Sequence, residues 1–598
     1  MRFDANKDGV SVHAISGTYV VMLAMDATDQ AKNGLLGFAI ERTDRTENQQ
    51  YWLQGMRTFK SVLPNPPEGS LTSTHEHPIQ DFLWSDFTAK PNHDYVYKIV
   101  PVRGQPKKLE YGTPVEVEVK TENESEGEHA VYFNRGVIGS QAYARKFHNA
   151  DPQKLTGAEK TAAYTWLSRG LYEAMRDFVQ QAKSPRFGLR AAVYEFDYEP
   201  IIQEFGNALK KCRNVKIIFD ARIASGKKGQ QMKLRVDNVK KLLKKYKLDA
   251  KGVAIPRTQS PNFIAHNKFI VLLDNNKPVA VWTGSTNFTE SGIYGQSNVG
   301  HIVRDEAVAT TYLKYWERLQ KDPTAPALSG ENMQADPDLV GFPPPAGVHA
   351  IFSPRKKNAK KQSMLDWYGA SMGKAESVMC FTAAFGVNKV FLQVLGGKTS
   401  SKDDLRYLFL EKWGVNKKLA ADAEAALSKN ASNQVAIGGF LQGDVLHNYL
   451  MDRWAKERSN SLSTNVRFTH TKYMLIDPLG KDPVVISGSA NFSDASTLSN
   501  DENMLIVRGD TRIADIYLGE FMRLWQHYRF RSIVNVKADE SGNADGYEPN
   551  YLAEDDSWTS GFYKAGNIKY RRRVSFAVGS QAPKPKPTHV RHAVAGQP

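Results

Sequence analysis

"FTHTKYMLID" runs from Phe468 to Asp477, and "SGSANF" follows from Ser487 to Phe492. A histidine and a lysine two residues apart open an apolar run, so both side chains share one face of a strand. A core strand has no use for either, and an ammonium would repel a metal ion. The pattern occurs earlier too, as "IAHNKF" at 264–269 and "TGSTNF" at 283–288. His266 precedes Ser285 by 19 residues, as His470 precedes Ser489, and Asn287 and Asn491 each lie 21 beyond their histidines. "HIVR" (301–304) and "LIVR" (505–508) keep the same offset of 204 residues. Three preserved spacings imply an internal duplication.

Around the motifs, helix-like and strand-like segments alternate. "AVYFNR" (130–135) is followed by "SRGLYEAMRDFVQQAK", "LRAAVYEF", "PIIQEFGNALKK" and "NVKIIFDAR". Such alternation predicts a largely parallel or mixed sheet flanked by helices. "AIFSPR" (350–355) opens a second unit as "AVYFNR" opens the first, and each unit closes on an amphipathic helix. The expected organisation is an α/β repeat at 130–335, a linker at 336–347 containing "GFPPPAG", and a second repeat at 348–535. Residues 1–120 read as short β-rich runs broken by Gly, Pro, Asn and Asp, which predicts a small β-sandwich. "GFAIERTD" and "DYVYKIVPVRG" there resemble strands of a fibronectin type III or immunoglobulin-like module. The acidic 121–129 is expected to link, and 536–598 to be a C-terminal extension with a disordered end.

Composition narrows the classes. The 598 residues carry a formal net charge of +15, which favours a polyanionic partner, nucleic acid or anionic lipid. Cys212 and Cys380 are too few for a disulfide framework and fit a reducing compartment. The start has no apolar signal region and no run is long enough to span a membrane, so the expectation is a cytoplasmic protein or one exported without a classical signal peptide. HExxH, paired CxxC and a glycine-rich phosphate loop are all missing, so zinc-hydrolase and P-loop readings fail. The basic stretch 230–252 spaces Met232, Val236, Val239, Leu243 and Tyr246 as a core-facing helix, which outweighs a lipid or nucleic-acid surface. "KYRRRVSF" (569–576) reads as a phosphate contact or a solvated tail.

Packed face to face, the repeats would set two imidazoles, two ammoniums and two asparagine amides around one cleft. That set suits phosphodiester cleavage. Lysines and amides neutralise the non-bridging oxygens, one imidazole attacks phosphorus, and the other protonates the leaving oxygen. A lone histidine is more often structural and a lone lysine solvated; the duplicated context favours the site. Glu502 is balanced between a surface residue and a histidine partner.

"HTKYMLID" with "GSAN", and "HNKFIVLLD" with "GSTN", resemble the paired HKD motifs of the phospholipase D superfamily. The resemblance covers roughly 130–530. It implies two α/β repeats around one active site, a phosphohistidine intermediate, and neither metal nor other cofactor. On it, His266, Lys268, Asp274, His470, Lys472, Asp477 and Glu502 are the catalytic candidates, and Ser285, Asn287, Ser489 and Asn491 the phosphate-binding ones. The motif aspartates are structural in that family. Asp477 lies seven residues after His470, whereas Leu273 holds that position in the first repeat and Asp274 comes one later; a bulge or shifted turn would absorb the slip. Thirteen residues past the motif serines stand Glu502 and Asn298, where superfamily members often carry an acid that hydrogen-bonds the catalytic histidine. Pairing each with its own repeat favours His470 as nucleophile and His266 as general acid/base over the reverse order. The expected activity is metal-independent phosphodiester hydrolysis of phospholipase D type on glycerophospholipids. The alternatives are a nucleic-acid endonuclease of the same superfamily and a non-catalytic scaffold binding phosphate polymers. The expected partners are a phospholipid or nucleic-acid phosphodiester and the surface of an anionic membrane. A fused two-repeat chain needs no oligomer to complete such a site.

Overall fold

A computed structural model describes residues 1–67, 69–136, 140–224, 226–259, 263–336, 341–357, 361–397, 404–439, 462, 466–541 and 551–578. Residues 337–340 of the expected linker and the expected disordered end beyond 578 lie outside the described residues.

The N-terminal strands make a two-sheet sandwich. Arg2–Lys7, Val10–Ser16, Val21–Ala27 and Leu83–Asp86 form one sheet. The long strand Asp94–Gln105 centres the other, paired with Gly37–Asp44, Lys108–Tyr111 and Val115–Lys120. Alternation sets the faces: Val115, Val117 and Val119 are buried while Glu116, Glu118 and Lys120 are exposed. Tyr95, Tyr97 and Ile99 meet Leu23 and Met25 in the shared core.

Two seven-stranded mixed sheets follow. Numbering only their strands, the first holds β1 (His129–Phe133), β2 (Phe187–Val193), β3 (Val215–Asp220), β4 (Ala254–Arg257), β5 (Lys268–Asp274), β6 (Lys277–Gly284) and β7 (Val299–Val303). The second holds β8 (Gly347–Ser353), β9 (Val378–Ala383), β10 (Leu405–Leu410), β11 (Asn433–Ile437), β12 (Tyr473–Ile476), β13 (Val484–Gly488) and β14 (Glu502–Arg508). Their orders are β1-β7-β6-β5-β2-β3-β4 and β8-β14-β13-β12-β9-β10-β11, the same permutation twice. In each, the second, third and fourth strands run parallel and the remaining pairs antiparallel. The duplication read from motif spacing is thus a duplication of topology. The motif strands β5 and β12 are central, which is why their apolar runs are continuous rather than alternating: both sheet faces are covered.

The helices Glu306–Leu319 and Thr511–Ser541 close the two repeats. They supply Tyr312, Tyr315, Tyr517 and Phe521 to one core that also holds Phe269, Phe352, Phe409 and Tyr473. The repeats therefore share a continuous apolar interior, and truncating one such aromatic to alanine costs about 3–5 kcal/mol. The helix Gly226–Lys245 buries Met232, Val236, Val239 and Leu243 as its spacing predicts.

The expected C-terminal extension contains a folded segment. Residues 551–578 fold back on the sandwich: Tyr551–Leu552 pairs with Thr58–Phe59, and Phe562 enters the sandwich core. The arginines of "KYRRRVSF" are neither a free tail nor a phosphate patch. Arg572 bonds Asp81 at 2.7 Å, Arg573 pairs with Asp26, Arg571 donates to Ser432 Oγ, and Phe576 is fully buried.

Candidate active site

The two motif segments meet because each pairs with the other repeat. Just before β5, Asp501 N donates to Ile264 O and His266 N to Asp501 O, both at 2.9 Å. Just before β12, Ser297 N donates to Phe468 O at 2.9 Å and His470 N to Ser297 O at 3.1 Å. Each histidine is thereby laid beside the segment that leads into the other repeat's last strand.

The side chains follow the backbone. His266 Nδ1 lies 2.8 Å from Glu502 Oε2, and His470 Nδ1 lies 2.9 Å from Asn298 Oδ1. The expectation that Glu502 orients His470 is corrected: the partners are crossed. The amide of Asn298 is fixed by its other bonds, with Nδ2 donating to Gly292 O at 2.7 Å and the main-chain N to Asn134 Oδ1 at 2.8 Å. Its Oδ1 therefore faces His470, Nδ1 carries the proton, and Nε2 is the ring's second nitrogen for chemistry. Glu502 fixes His266 the same way, but with a carboxyl that can take a formal charge.

The motif serines act on these partners rather than on a substrate. Ser285 Oγ donates to Asn298 Oδ1 at 2.8 Å and accepts from Val299 N; Ser489 Oγ donates to Glu502 Oε2 at 2.6 Å and accepts from Asn503 N. Both are fully buried, and each hydroxyl already donates and accepts within the protein. The glycine before each serine is dictated by crowding: a Cβ on Gly284 would lie 2.3 Å from Val299 O, and one on Gly488 2.2 Å from Asn503 O. Asn287 donates to Glu195 Oε2 at 2.6 Å, which turns its Oδ1 away from the carboxylate; that oxygen and Asn491 Oδ1 are buried without a protein partner.

Lys268 and Lys472 are 0% and 1% exposed, with His266 and His470 at 5% and 4%, so charges here interact with little screening. Lys268 Nζ donates to His266 O at 2.6 Å and Lys472 Nζ to His470 O. Burial, then the Lys268 and Lys472 ammoniums, holds His266 well below the ordinary imidazole range. Burial, Lys472 and Lys268 do the same to His470. Each histidine thus feels both lysines, the electrostatic mark of one shared cleft. Burial lowers Lys268 to about 8 and drives Lys472 well down. It raises Glu502 to about 8 against the pull of Lys268 and Lys472.

The two aspartates lie elsewhere. Asp274 ends β5 in an ion pair with Arg186, and the expected slip is a register shift between Leu272 and Leu273 in the β5–β6 pairing. Asp477 accepts the main-chain N–H groups of Glu376, Ser377 and Val378 and the Ser377 hydroxyl, tying β12 to the start of β9. The bonds of both aspartates anchor strands and do not reach the histidines or lysines.

Sequence reasoning missed several residues. Tyr194 and Glu195 follow β2, whose Val193 lies across from Lys268. The Tyr194 ring centre is 4.8 Å from that of His266 and 5.0 Å from Lys268 Nζ. Arg235 pairs with Asp220 at 2.6 Å and with Glu195 at 3.4 Å. Asn267 Oδ1 accepts from Asn503 Nδ2 at 2.9 Å, a second link between the repeats. The available signal was position: polar residues just past the carboxyl ends of parallel strands, where α/β sheets bind ligands. A cavity of about 870 Å³ lies away from the cleft, lined by Met1, Glu122, His129, Arg508 and Arg512. Its arginines are spent on Glu122 and Asp482, so the convergent chemistry is at the histidines.

A family model described as "Cardiolipin synthase, PLD-like domain" matches residues 178–320 and 421–525, one segment on each motif. Both motif segments thus belong to a phospholipase D-like domain. The chain carries the phosphodiesterase-like domain of the phospholipase D superfamily in two copies. Among solved structures it is similar to phosphatidylserine synthase from Haemophilus influenzae Rd KW20, at 11% identity and TM-score 0.39, over 62% of this chain and 91% of that one. A yeast tyrosyl-DNA phosphodiesterase mutant aligns at 14% identity and TM-score 0.29, over 57% and 87%. Polyphosphate kinase from Porphyromonas gingivalis aligns at 11% identity and TM-score 0.35, over 64% of this chain but only 51% of the kinase. No curated protein matches the sequence. Among the described residues no helix is long and apolar enough to cross a membrane.

Proposed function

We propose that this chain is a metal-independent phosphodiesterase of phospholipase D type, working on glycerophospholipids through a phosphohistidine on His266. The crossed pairing carries the reading: the carboxylate of Glu502 sits on His266 and the neutral amide of Asn298 on His470. A carboxylate behind Nδ1 makes Nε2 the stronger nucleophile, so the roles first assigned to the two histidines are exchanged.

The diester anion sits between Lys268 and Lys472, whose Nζ atoms turn from the main-chain carbonyls to the non-bridging oxygens. His266 Nε2 attacks phosphorus, an N–P bond forms and the P–O bond to the headgroup alcohol breaks. The leaving oxygen takes the Nε2 proton of His470, which the anion has helped to load. Neutral His470 then takes a proton from water, the water oxygen attacks phosphorus, and the N–P bond breaks to give phosphatidic acid. The two ammoniums supply the charge that a metal would otherwise bring.

Phospholipid is favoured over nucleic acid by the name of the matched domain model, that of a phospholipid synthase. The net charge of +15 suits nucleic acid equally, so both substrates belong in one assay. Purified protein in EDTA is expected to release phosphatidic acid from mixed phospholipid vesicles and to leave plasmid and single-stranded DNA intact. Nicking without phosphatidic acid would make it a nuclease. Loss of turnover on a soluble diester in EDTA, restored by a divalent ion, would refute the mechanism.

A further inference from the structure

The duplicated frame places different chemistry on the two rims of the cleft. Counting from Phe381 opposite Met474 sets Ala383 across from Lys472, as Val193 stands across from Lys268. The residue two beyond is therefore Glu195 in the first repeat and Phe385 in the second. Glu195 is held by Asn287 and Arg235, whereas Phe385 is 43% exposed. Val415 and Leu419 beside it are 59% and 48% exposed. The segments that carry these side chains lie against one another. A Cβ on Gly386 would lie 3.1 Å from the Cα of Gly414, and one on Gly414 2.7 Å from the carbonyl carbon of Leu419.

The patch is fixed to the catalytic segment. Glu411, which opens the loop carrying Val415, accepts the N–H groups of Arg467, Phe468 and Thr469 at 2.6, 3.0 and 2.8 Å, the three residues before His470. Thr382, three residues before Phe385, donates to Thr471 O at 2.8 Å. Lys412, Lys417 and Lys418 are exposed around the apolar side chains, and none forms an ion pair with another described residue. Exposed aromatic and aliphatic side chains ringed by unpaired ammoniums match a bilayer interface with anionic headgroups.

We infer that Phe385, Val415 and Leu419, with Lys412, Lys417 and Lys418, dock the mouth of the cleft on an anionic membrane. The inference deepens the phospholipid reading and rests on it. The apolar side chains enter the headgroup region while the lysines meet lipid phosphates, which brings the scissile bond to His470 and His266 without drawing the lipid into water.

The test is flotation of the His266→Ala protein, in which turnover cannot alter the membrane, with phosphatidylcholine vesicles with and without phosphatidylglycerol. The expected result is binding to the mixed vesicles that weakens with salt. Phe385→Ser/Val415→Ser/Leu419→Ser should lower it about tenfold or more. Lys412→Gln/Lys417→Gln/Lys418→Gln should erase the preference for phosphatidylglycerol, at about fivefold per lysine. With His266 intact, the serine variant should hydrolyse bis(p-nitrophenyl) phosphate at the parental rate, which also certifies its fold. Equal vesicle binding by parent and serine variant overturns the inference, as does a variant that loses an oligonucleotide instead of the vesicle. If that happens while the enzyme cleaves phospholipid in detergent micelles, the docking surface falls and the phospholipid reading stands. Vesicle binding through the patch with no phospholipid cleaved in vesicles or micelles leaves the surface standing and removes the reading.

Discussion

Replacing Glu502 by glutamine tests the crossed pairing most directly. Glutamine keeps the shape and offers one oxygen to His266 Nδ1 and Ser489 Oγ, the present partners of Oε2 at 2.8 and 2.6 Å. What goes is the ability of a wholly buried group to take a charge, which the carboxyl gains as pH rises towards 8. A charge-assisted hydrogen bond is worth about 1.5–3 kcal/mol, so kcat/KM should fall about 10- to 150-fold. The assay is hydrolysis of a diester series with leaving groups from p-nitrophenol to simple alcohols. If Glu502 serves the nucleophile, the loss persists with p-nitrophenol, which needs no proton. Stability supplies the control. Burial lifts the Glu502 carboxyl from 4.5 to about 8, so the folded state holds this proton more tightly than the unfolded chain. Its contribution to stability is greatest below about 4.5 and is lost as pH rises towards 8. Glutamine has no such slope, so Glu502→Gln should melt higher than the parent near pH 8 and with it near pH 4.5. A variant within about twofold of the parental rate, or one rescued fully by p-nitrophenol, would refute the assignment.

Three further outcomes follow from the same geometry. Mass spectrometry of a quenched reaction should find an acid-labile phosphoryl group on His266, and His470→Ala should be partly rescued by a good leaving group while His266→Ala is not; an adduct on His470 reverses the roles. Inorganic phosphate should bind near pH 7 with uptake of about one proton, because the anion restores the depressed basicity of His266, His470 and Lys472; calorimetry in two buffers of different ionisation heat checks this, and proton release refutes it. Asp477→Ala should destabilise by about 2–4 kcal/mol through the N–H groups it strands, with activity per folded molecule unchanged; a stable but inactive variant would return Asp477 to the chemistry.

Spacing carried much of this into the sequence. The 19-residue interval from histidine to serine encodes a hairpin, β5–β6 or β12–β13, so its repetition announced both the duplication and the core of each sheet. The misplaced Asp274 announced a register slip that the pairing at Leu272 contains. The crossing of Glu502 and Asn298 was not legible. It depends on main-chain bonds between 264–266 and 501 and between 468–470 and 297, contacts that no local period records. Nor could spacing show that each serine hydroxyl donates to the histidine's partner, Asn298 or Glu502, and accepts a main-chain N–H from the strand beside it. The return of 551–578 to the sandwich was hidden for a related reason: arginines that read as solvated are bonded to Asp26 and Asp81, more than 450 positions earlier.

The crossed partners bear on how such a site acquires a direction. Two identical chains related by a twofold axis must offer each histidine the same neighbour, so neither ring is marked to attack first. Once both halves lie in one polypeptide, the two positions are separate codons. Here one holds glutamate and the other asparagine, and the difference falls across the axis, each half setting the temper of its sister's imidazole. A substitution in either half therefore changes the surroundings of the other half's imidazole, an asymmetry that only the joined chain can hold.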